Sequence, residues 1–66
     1  MSRAPNGALW RPSTLSHLRR IQILEDAQGW EIGSVGPVRG GRWMNRDTGQ
    51  EFDSLADAKA DVERYL

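Results

Sequence analysis

The clearest pattern in the sequence is a helical apolar repeat near its C-terminal end. The repeat comprises Leu55, Ala58, Val62 and Tyr65, spaced as on one helix face. Asp53 or Ser54 can begin this helix, because a short side-chain oxygen accepts the free N–H groups of a first turn. A helix of this length is marginal alone in water. The pattern therefore predicts that its apolar stripe packs against other elements.

Alternating apolar and polar residues predict strands upstream of this helix. Ile21 and Ile23 alternate with polar neighbours in a first strand, and Trp30 and Ile32 do so in a second, which ends near Val35. A third strand is predicted over residues 42–46 and a short return over residues 50–52, joined by a turn at residues 47–49. A single helix over residues 13–28 is the competing interpretation, but its leucines and isoleucine drift around a helix instead of sharing one face.

Residues 1–13 contain Pro, Gly, Asn and Arg without a hydrophobic period, and this composition predicts a mobile basic arm. Trp10 is the exception within this segment. We expect it to dock back on the body of the protein, with a partner contact as the alternative.

Together these elements predict an α+β fold in which residues 14–66 form one small β-β-β-α domain. A three-stranded antiparallel sheet carries the C-terminal helix on one face and leaves the other face open. The predicted core comprises Ile21, Ile23, Trp30, Ile32, Val35, Phe52, Leu55, Ala58, Val62 and Tyr65, with Met44 or Trp43.

Composition narrows the classes of function. The chain has 66 residues, no cysteine and one histidine, so we expect neither a disulfide framework nor a metal or cofactor site. No apolar run reaches the roughly 20 residues of a membrane span, and no continuous apolar segment near the N-terminus indicates a secretory signal. We therefore expect a cytoplasmic protein without a membrane contact.

Catalytic chemistry has little support in the residues. His17 has no cysteine or orienting group at a meaningful spacing. Asp47-Thr48-Gly49 matches the tripeptide of aspartic proteases, but polar neighbours favour a turn. The sequence therefore predicts a binding protein that is not an enzyme and has no small-molecule substrate.

Charge is segregated along the chain although the net charge is zero. Residues 1–24 sum to +4, residues 25–38 to −3, residues 39–46 to +3 and residues 47–66 to −4. Such a polarised pattern carries information about partners that the average does not.

The arginines are the strongest candidate binding groups. Arg39, Arg42 and Arg46 flank Trp43, while Arg19 and Arg20 lie at the start of the first strand. Guanidinium groups bind phosphates, and an indole can stack on a base, so this set predicts a nucleic-acid site. The alternative is that each arginine pairs with an acidic neighbour across the sheet.

A phage- or plasmid-type module that binds a host protein complex and inhibits or regulates it is the second hypothesis. It would use exposed tryptophans and the acidic side of the helix, namely Trp10, Trp43, Asp57 and Asp61. Asp53, Asp57 and Asp61 are spaced four apart, a pattern that a solvated helix face also produces. A self-associating structural protein is the third hypothesis. In every case we expect a monomer or a weak homodimer.

Gly41-Arg42-Trp43, Arg46-Asp47 and Phe52-Asp53-Ser54, with Ala58, resemble the DNA-binding domains of plant ethylene-response factors and the related integrase arm-binding domains. The resemblance covers about 18 positions. It implies a three-stranded sheet, backed by one helix, that lies in the DNA major groove. It also implies DNA contacts from Arg42, Trp43 and Arg46, and packing of helix on sheet through Phe52 and Ala58. Small proteins of this shape are also typical of phage and plasmid genes, including inhibitors of host enzymes.

Overall fold

The computed structural model describes residues 7–14 and 20–66, and the described chain forms one antiparallel sheet and one helix. The elements in order are β1 (Leu9–Pro12), β2 (Gln22–Glu25), β3 (Glu31–Pro37), β4 (Trp43–Asn45), β5 (Glu51–Phe52) and α1 (Leu55–Glu63). Each strand pairs with the next one in the chain. The predicted α+β class, the antiparallel sheet and the C-terminal helix are confirmed. The predicted number of three strands is wrong, because the sheet has five. The strand at residues 22–25 also excludes one helix over residues 13–28.

The first strand lies within the segment that was predicted to be a mobile arm. Leu9 pairs with Glu25 and Trp10 pairs with Leu24, so β1 extends the sheet beside β2. The side chain of Trp10 is only 1% exposed. Residues 9–12 are therefore an edge strand, whereas residues 1–6 lie outside the described part of the chain. Four residues reading LWRP are too short to carry a recognisable period.

The core lies between the sheet and α1. Buried apolar side chains come from the start of the sheet, from its centre and from the helix, and they are Ala8, Trp10, Leu24, Val35, Ala58 and Val62. Trp43, Phe52 and Leu55 pack against this cluster while half-buried. The predicted packing of helix on sheet through Phe52 and Ala58 is therefore confirmed.

Several predicted core residues are exposed instead. Trp30 is 73% exposed, Tyr65 70% and Ile32 39%. Trp30 and Ile32 were assigned to the core because alternation placed them on the inner face, whereas the residues that face α1 are Gly33 and Val35. The register between β2 and β3 also shifts between Leu24 and Glu25. An inward-facing glycine contributes no hydrophobic signal, so the alternation of the visible apolar residues gave the wrong face.

Gly33 sets the distance between sheet and helix. A methyl group placed on its Cα would lie 2.5 Å from Cγ1 of Val62. Only a residue without Cβ allows the helix to approach the strand this closely.

Polar contacts fix α1 at its two sides. The Trp10 indole Nε1–H donates to Oε2 of Glu63 at 2.7 Å, and Nζ of Lys59 lies 5.3 Å from the centre of the indole ring. On the β4 side, Nδ2 of Asn45 donates to Oδ2 of Asp61 at 3.0 Å. Asn45 and Asp61 are both buried, so this hydrogen bond also satisfies two polar groups in the interior.

The local signals for the helix start and the last turn are confirmed. Ser54 is the N-cap, and its hydroxyl oxygen accepts the backbone N–H of Asp57 at 3.1 Å. In the turn after β4, the N–H of Gly49 donates to the carbonyl of Asn45 at 2.8 Å. Gly49 has φ of 81°, a value that favours glycine.

Candidate nucleic-acid interface

We call the sheet face opposite α1 the open face. It is built from two rows of side chains. Successive residues of a strand point to opposite sides. Because Trp10, Leu24 and Gly33 face the helix, their strand neighbours face away from it. One row contains Arg11, Ile23, Ser34 and Arg46. The second row contains Ile21, Gly36, Met44 and Glu51.

The open face has an apolar or small centre. Ile21 and Ser34 are buried, Gly36 is buried beside them, and Met44 is half-buried. Charged side chains lie around this centre, so any selectivity of the face depends on which charges are already neutralised within the protein.

Three of the six arginines in the described segments form ion pairs. Arg11 contacts Glu25 at 2.7 Å. Arg42 contacts Glu51 at 3.1 Å and Asp53 at 3.3 Å. The third pair joins Arg64 to Asp61 at 3.3 Å. Pairing across the sheet is the alternative expected from the sequence for Arg19, Arg20, Arg39, Arg42 and Arg46, and among the described members of that set only Arg42 has an acidic partner.

The Arg11–Glu25 pair changes the acid–base behaviour of both groups. The hydrogen bond from Arg11 holds the pKa of Glu25 below its ordinary value, and the same bond raises the pKa of Arg11. Both side chains therefore stay charged at neutral pH, and Arg11 stays occupied by its partner.

Arg20, Arg39 and Arg46 form no ion pair with any other described residue. The stem of Arg46 lies over Gly36, since a methyl group on Gly36 would lie 3.2 Å from Cδ of Arg46 and 3.6 Å from Cγ1 of Ile21.

Arg20 and Arg39 line a groove at the end of the sheet. This groove, which we call the arginine groove, has a volume of about 670 Å³ and is lined by Arg20, Pro37, Val38, Arg39 and Glu51.

The structure separates the predicted nucleic-acid-binding residues into two groups. Arg46 lies over Gly36 beside Ile21, and Arg20 and Arg39 line the arginine groove. None of these three arginines forms an ion pair with another described residue. Arg42 is neutralised, and Trp43 points to the helix side, where it packs against the core. Arg19 lies outside the described residues. Trp43 and Arg46 are therefore not side by side, because three positions along an extended chain place them on opposite faces.

The predicted protein-binding set is also divided. Trp10 is 1% exposed and Asp61 is 8% exposed, so neither offers a surface to a partner. Trp43 is half-buried, and Asp57 alone is exposed. The acidic spacing on α1 thus reflects one buried hydrogen-bonding aspartate and one solvated aspartate.

Sequence reasoning missed Trp30 as a surface residue. Its backbone is fixed by Asp26, whose Oδ1 accepts the N–H of Trp30 and the N–H of Gln28, each at 2.9 Å. The available signal was the Asp26-to-Gly29 turn itself, because an aromatic residue directly after a tight turn lies at the end of a hairpin.

Metal binding and membrane spanning are two other possibilities, and the described part of the chain bears on both. Among residues 7–14 and 20–66, no three acidic or histidine side chains are close enough to hold a metal ion. In the same residues, α1 is too short and too polar to cross a membrane.

Comparison with known proteins gives no relative. No protein-family model, no curated protein and no solved structure matches this chain.

Proposed function

We propose that this protein binds nucleic acid, without enzymatic activity, through the open face and the arginine groove. The observation that carries the proposal is a set of three arginines, Arg20, Arg39 and Arg46, that form no ion pair within the described part of the chain. An unpaired guanidinium group keeps its full charge and its five donors for an external anion.

Phosphate contacts are the part of a nucleic acid that this surface suits. The two rows of the open face carry no aromatic side chain, so stacking on unpaired bases has no support there. Guanidinium groups that recognise phosphate carry no sequence information directly. The proposal is therefore sequence-independent binding to the backbone of a duplex.

Three phosphate contacts give a weak interaction with a defined salt dependence. Each contact to duplex DNA contributes a slope of about −0.9 to a plot of log K against log salt, so three contacts give about −2.7. The zero net charge of the chain means that this slope comes from local and not overall charge.

Fluorescence anisotropy with a short labelled duplex at several salt concentrations tests the proposal. Arg20→Gln, Arg39→Gln and Arg46→Gln should each reduce the magnitude of the slope by about 0.9. Glutamine keeps part of the aliphatic stem, which matters at Arg46 because its stem covers Gly36.

Arg64→Gln is the matched control, because it makes the same change in net charge at the far end of α1, where Arg64 already pairs with Asp61. It should leave the slope unchanged. An equal reduction of the salt slope in all four variants would mean that only the net charge matters, and this would contradict the proposal. The absence of duplex binding at low salt would also contradict it.

Protein binding is the second candidate function, and one observation favours it. The indole of Trp30 is 73% exposed on a turn whose backbone is held by Asp26. Tryptophan is among the residues that most often anchor protein interfaces. A pull-down with nuclease present, comparing the natural protein with Trp30→Ala, tests this candidate. A partner that nuclease releases would contradict it.

A further inference from the structure

The β2–β3 hairpin ends in an exposed and acidic surface formed by Asp26, Trp30 and Glu31. We call this surface the Trp30 tip. The N–H of Gly29 donates to the carbonyl of Asp26 at 3.0 Å, and the N–H of Asp26 donates to the carbonyl of Trp30 at 2.9 Å. The N–H of Trp30 also donates to the carboxylate of Asp26, so both backbone polar groups of Trp30 are hydrogen-bonded. Ordering this residue on binding therefore costs little backbone entropy.

The charge around the Trp30 tip is negative. Arg11 and Glu25 neutralise each other. Asp26 and Glu31 form no ion pair with another described residue, so the tip keeps a net charge of −2. A partner for the tip therefore needs an apolar recess bordered by cations.

The arginine groove of the same protein has this chemistry. Pro37 and Val38 supply half-buried apolar surface, and beside it the guanidinium groups of Arg20 and Arg39 form no ion pair within residues 7–14 and 20–66. Glu51 also lines the groove, and its carboxylate is paired with Arg42. Guanidinium groups stack on indole rings and pair with carboxylates. The groove is thus complementary to the Trp30 tip in both polarity and charge.

A single molecule cannot bring the two surfaces together. The tip directly precedes β3 and the groove directly follows it, and the 7 residues of β3 span about 23 Å at 3.3 Å per residue. The contact therefore requires a second copy of the chain. A net charge of zero leaves no overall repulsion between copies.

We propose that the protein associates with itself by placing the Trp30 tip of one copy in the arginine groove of another. This proposal rests on the protein-binding candidate and names a second copy of the chain as the partner. It does not depend on nucleic-acid binding, although a duplex and the Trp30 tip would both contact Arg20 and Arg39. The contact is small, so the association is weak and concentration-dependent.

Sedimentation equilibrium at low salt, over a concentration series reaching the millimolar range, tests the proposal without any other partner. The weight-average mass should rise above the 7.4 kDa of one chain. Trp30→Ala should weaken the association constant at least about 30-fold, as expected for a central aromatic anchor. Tyr65→Ala is the matched control, because Tyr65 is a comparably exposed aromatic residue (70%) outside both surfaces, and it should associate normally.

Charge reversal gives a second and independent measurement. Glu31→Arg alone and Arg39→Glu alone should each associate more weakly than the natural protein, because the first removes the net negative charge of the tip and the second removes the net positive charge of Arg20 and Arg39. An equimolar mixture of the two should associate again, because the unaltered tip of Arg39→Glu meets the unaltered groove of Glu31→Arg. Circular dichroism should show all variants folded.

A natural protein that remains monomeric over the whole series would overturn the proposal. So would self-association that Trp30→Ala leaves intact or that the mixture fails to restore. These results leave the duplex-binding assay unaffected, so the two proposals fail separately. A duplex added to the associating protein should dissociate it, since phosphate and the Trp30 tip require the same arginines.

Discussion

Replacing Trp10 tests whether the N-terminal segment is part of the core. The indole is 1% exposed and lies among Leu24, Val35 and the helix residues of the core. A Trp side chain buries roughly 150–250 Å², which at about 25 cal/mol per Å² corresponds to roughly 4–6 kcal/mol as an upper value. Measured Trp→Ala substitutions in cores cost about 3–5 kcal/mol.

This cost is comparable to the whole stability of the protein. At about 0.05–0.15 kcal/mol per residue, 66 residues give a free energy of unfolding of about 3–10 kcal/mol. Trp10→Ala should therefore leave a large unfolded fraction at 25 °C or remove cooperative folding. Trp10→Phe keeps most of the apolar volume but loses the hydrogen bond to Glu63, and we expect it to cost about 1–2 kcal/mol.

Urea unfolding followed by far-ultraviolet circular dichroism measures these changes without relying on the fluorescence of the altered residue. Trp30→Ala is the matched control, because it removes the same side chain from a site that is 73% exposed, and it should change the free energy of unfolding by less than about 0.5 kcal/mol. If Trp10→Ala matched Trp30→Ala, residues 9–12 would be a dispensable arm and the described core would be wrong.

Further substitutions test other contacts. Gly33→Ala should destabilise by about 1–3 kcal/mol in thermal unfolding, because its methyl group meets Val62, and Val62→Ala in the same chain should recover part of that loss instead of adding its full cost. Glu25→Gln should remove a stabilisation present above the ordinary glutamate pKa of about 4.3. Because the bond from Arg11 lowers the folded-state pKa, this stabilisation declines as pH falls below that value, so the difference in Tm between the two proteins should shrink between pH 6 and pH 3; a constant difference would refute this. Ser54→Ala should cost about 1 kcal/mol and lower Tm by roughly 4–8 °C, while Ser54→Asp should not, and equal losses would contradict the N-cap.

Local chemistry made the C-terminal half of the fold predictable. Ser54 has the side chain that a helix start requires, Gly49 has the backbone freedom that its turn requires, and the repeat after Ser54 marks the buried stripe through Ala58 and Val62. These signals act over a few residues, so a single sequence contains them.

The N-terminal strand and the inward face of β3 depend on contacts that no local pattern encodes. Trp10 is held by residues 14 and 53 positions away in the chain, Leu24 and Glu63. In β3 the inward position is Gly33, and its neighbour Ser34 is buried on the other face. Apolar alternation is therefore absent where the packing is tightest, and Trp30 gave a misleading signal.

The candidate site was predictable by residue type but not by arrangement. The sequence identifies Arg20, Arg39, Arg42 and Arg46 equally, because their charges are identical. Only the fold distinguishes Arg42, which pairs with acidic side chains at the next strand, from the other three. Pairing across strands follows from register, and register is a property of the folded sheet.

Chemical-shift mapping of backbone and side-chain groups by NMR, during titration with a short DNA duplex at low salt, shows directly whether the open face binds nucleic acid. We expect the shift changes to concentrate at Arg20, Arg39 and Arg46 and at the amides of Ile21 and Gly36, and to diminish as salt is added. Shifts confined to the exposed side of α1, or no shifts at low salt, would contradict the assignment of the open face as a nucleic-acid-binding surface.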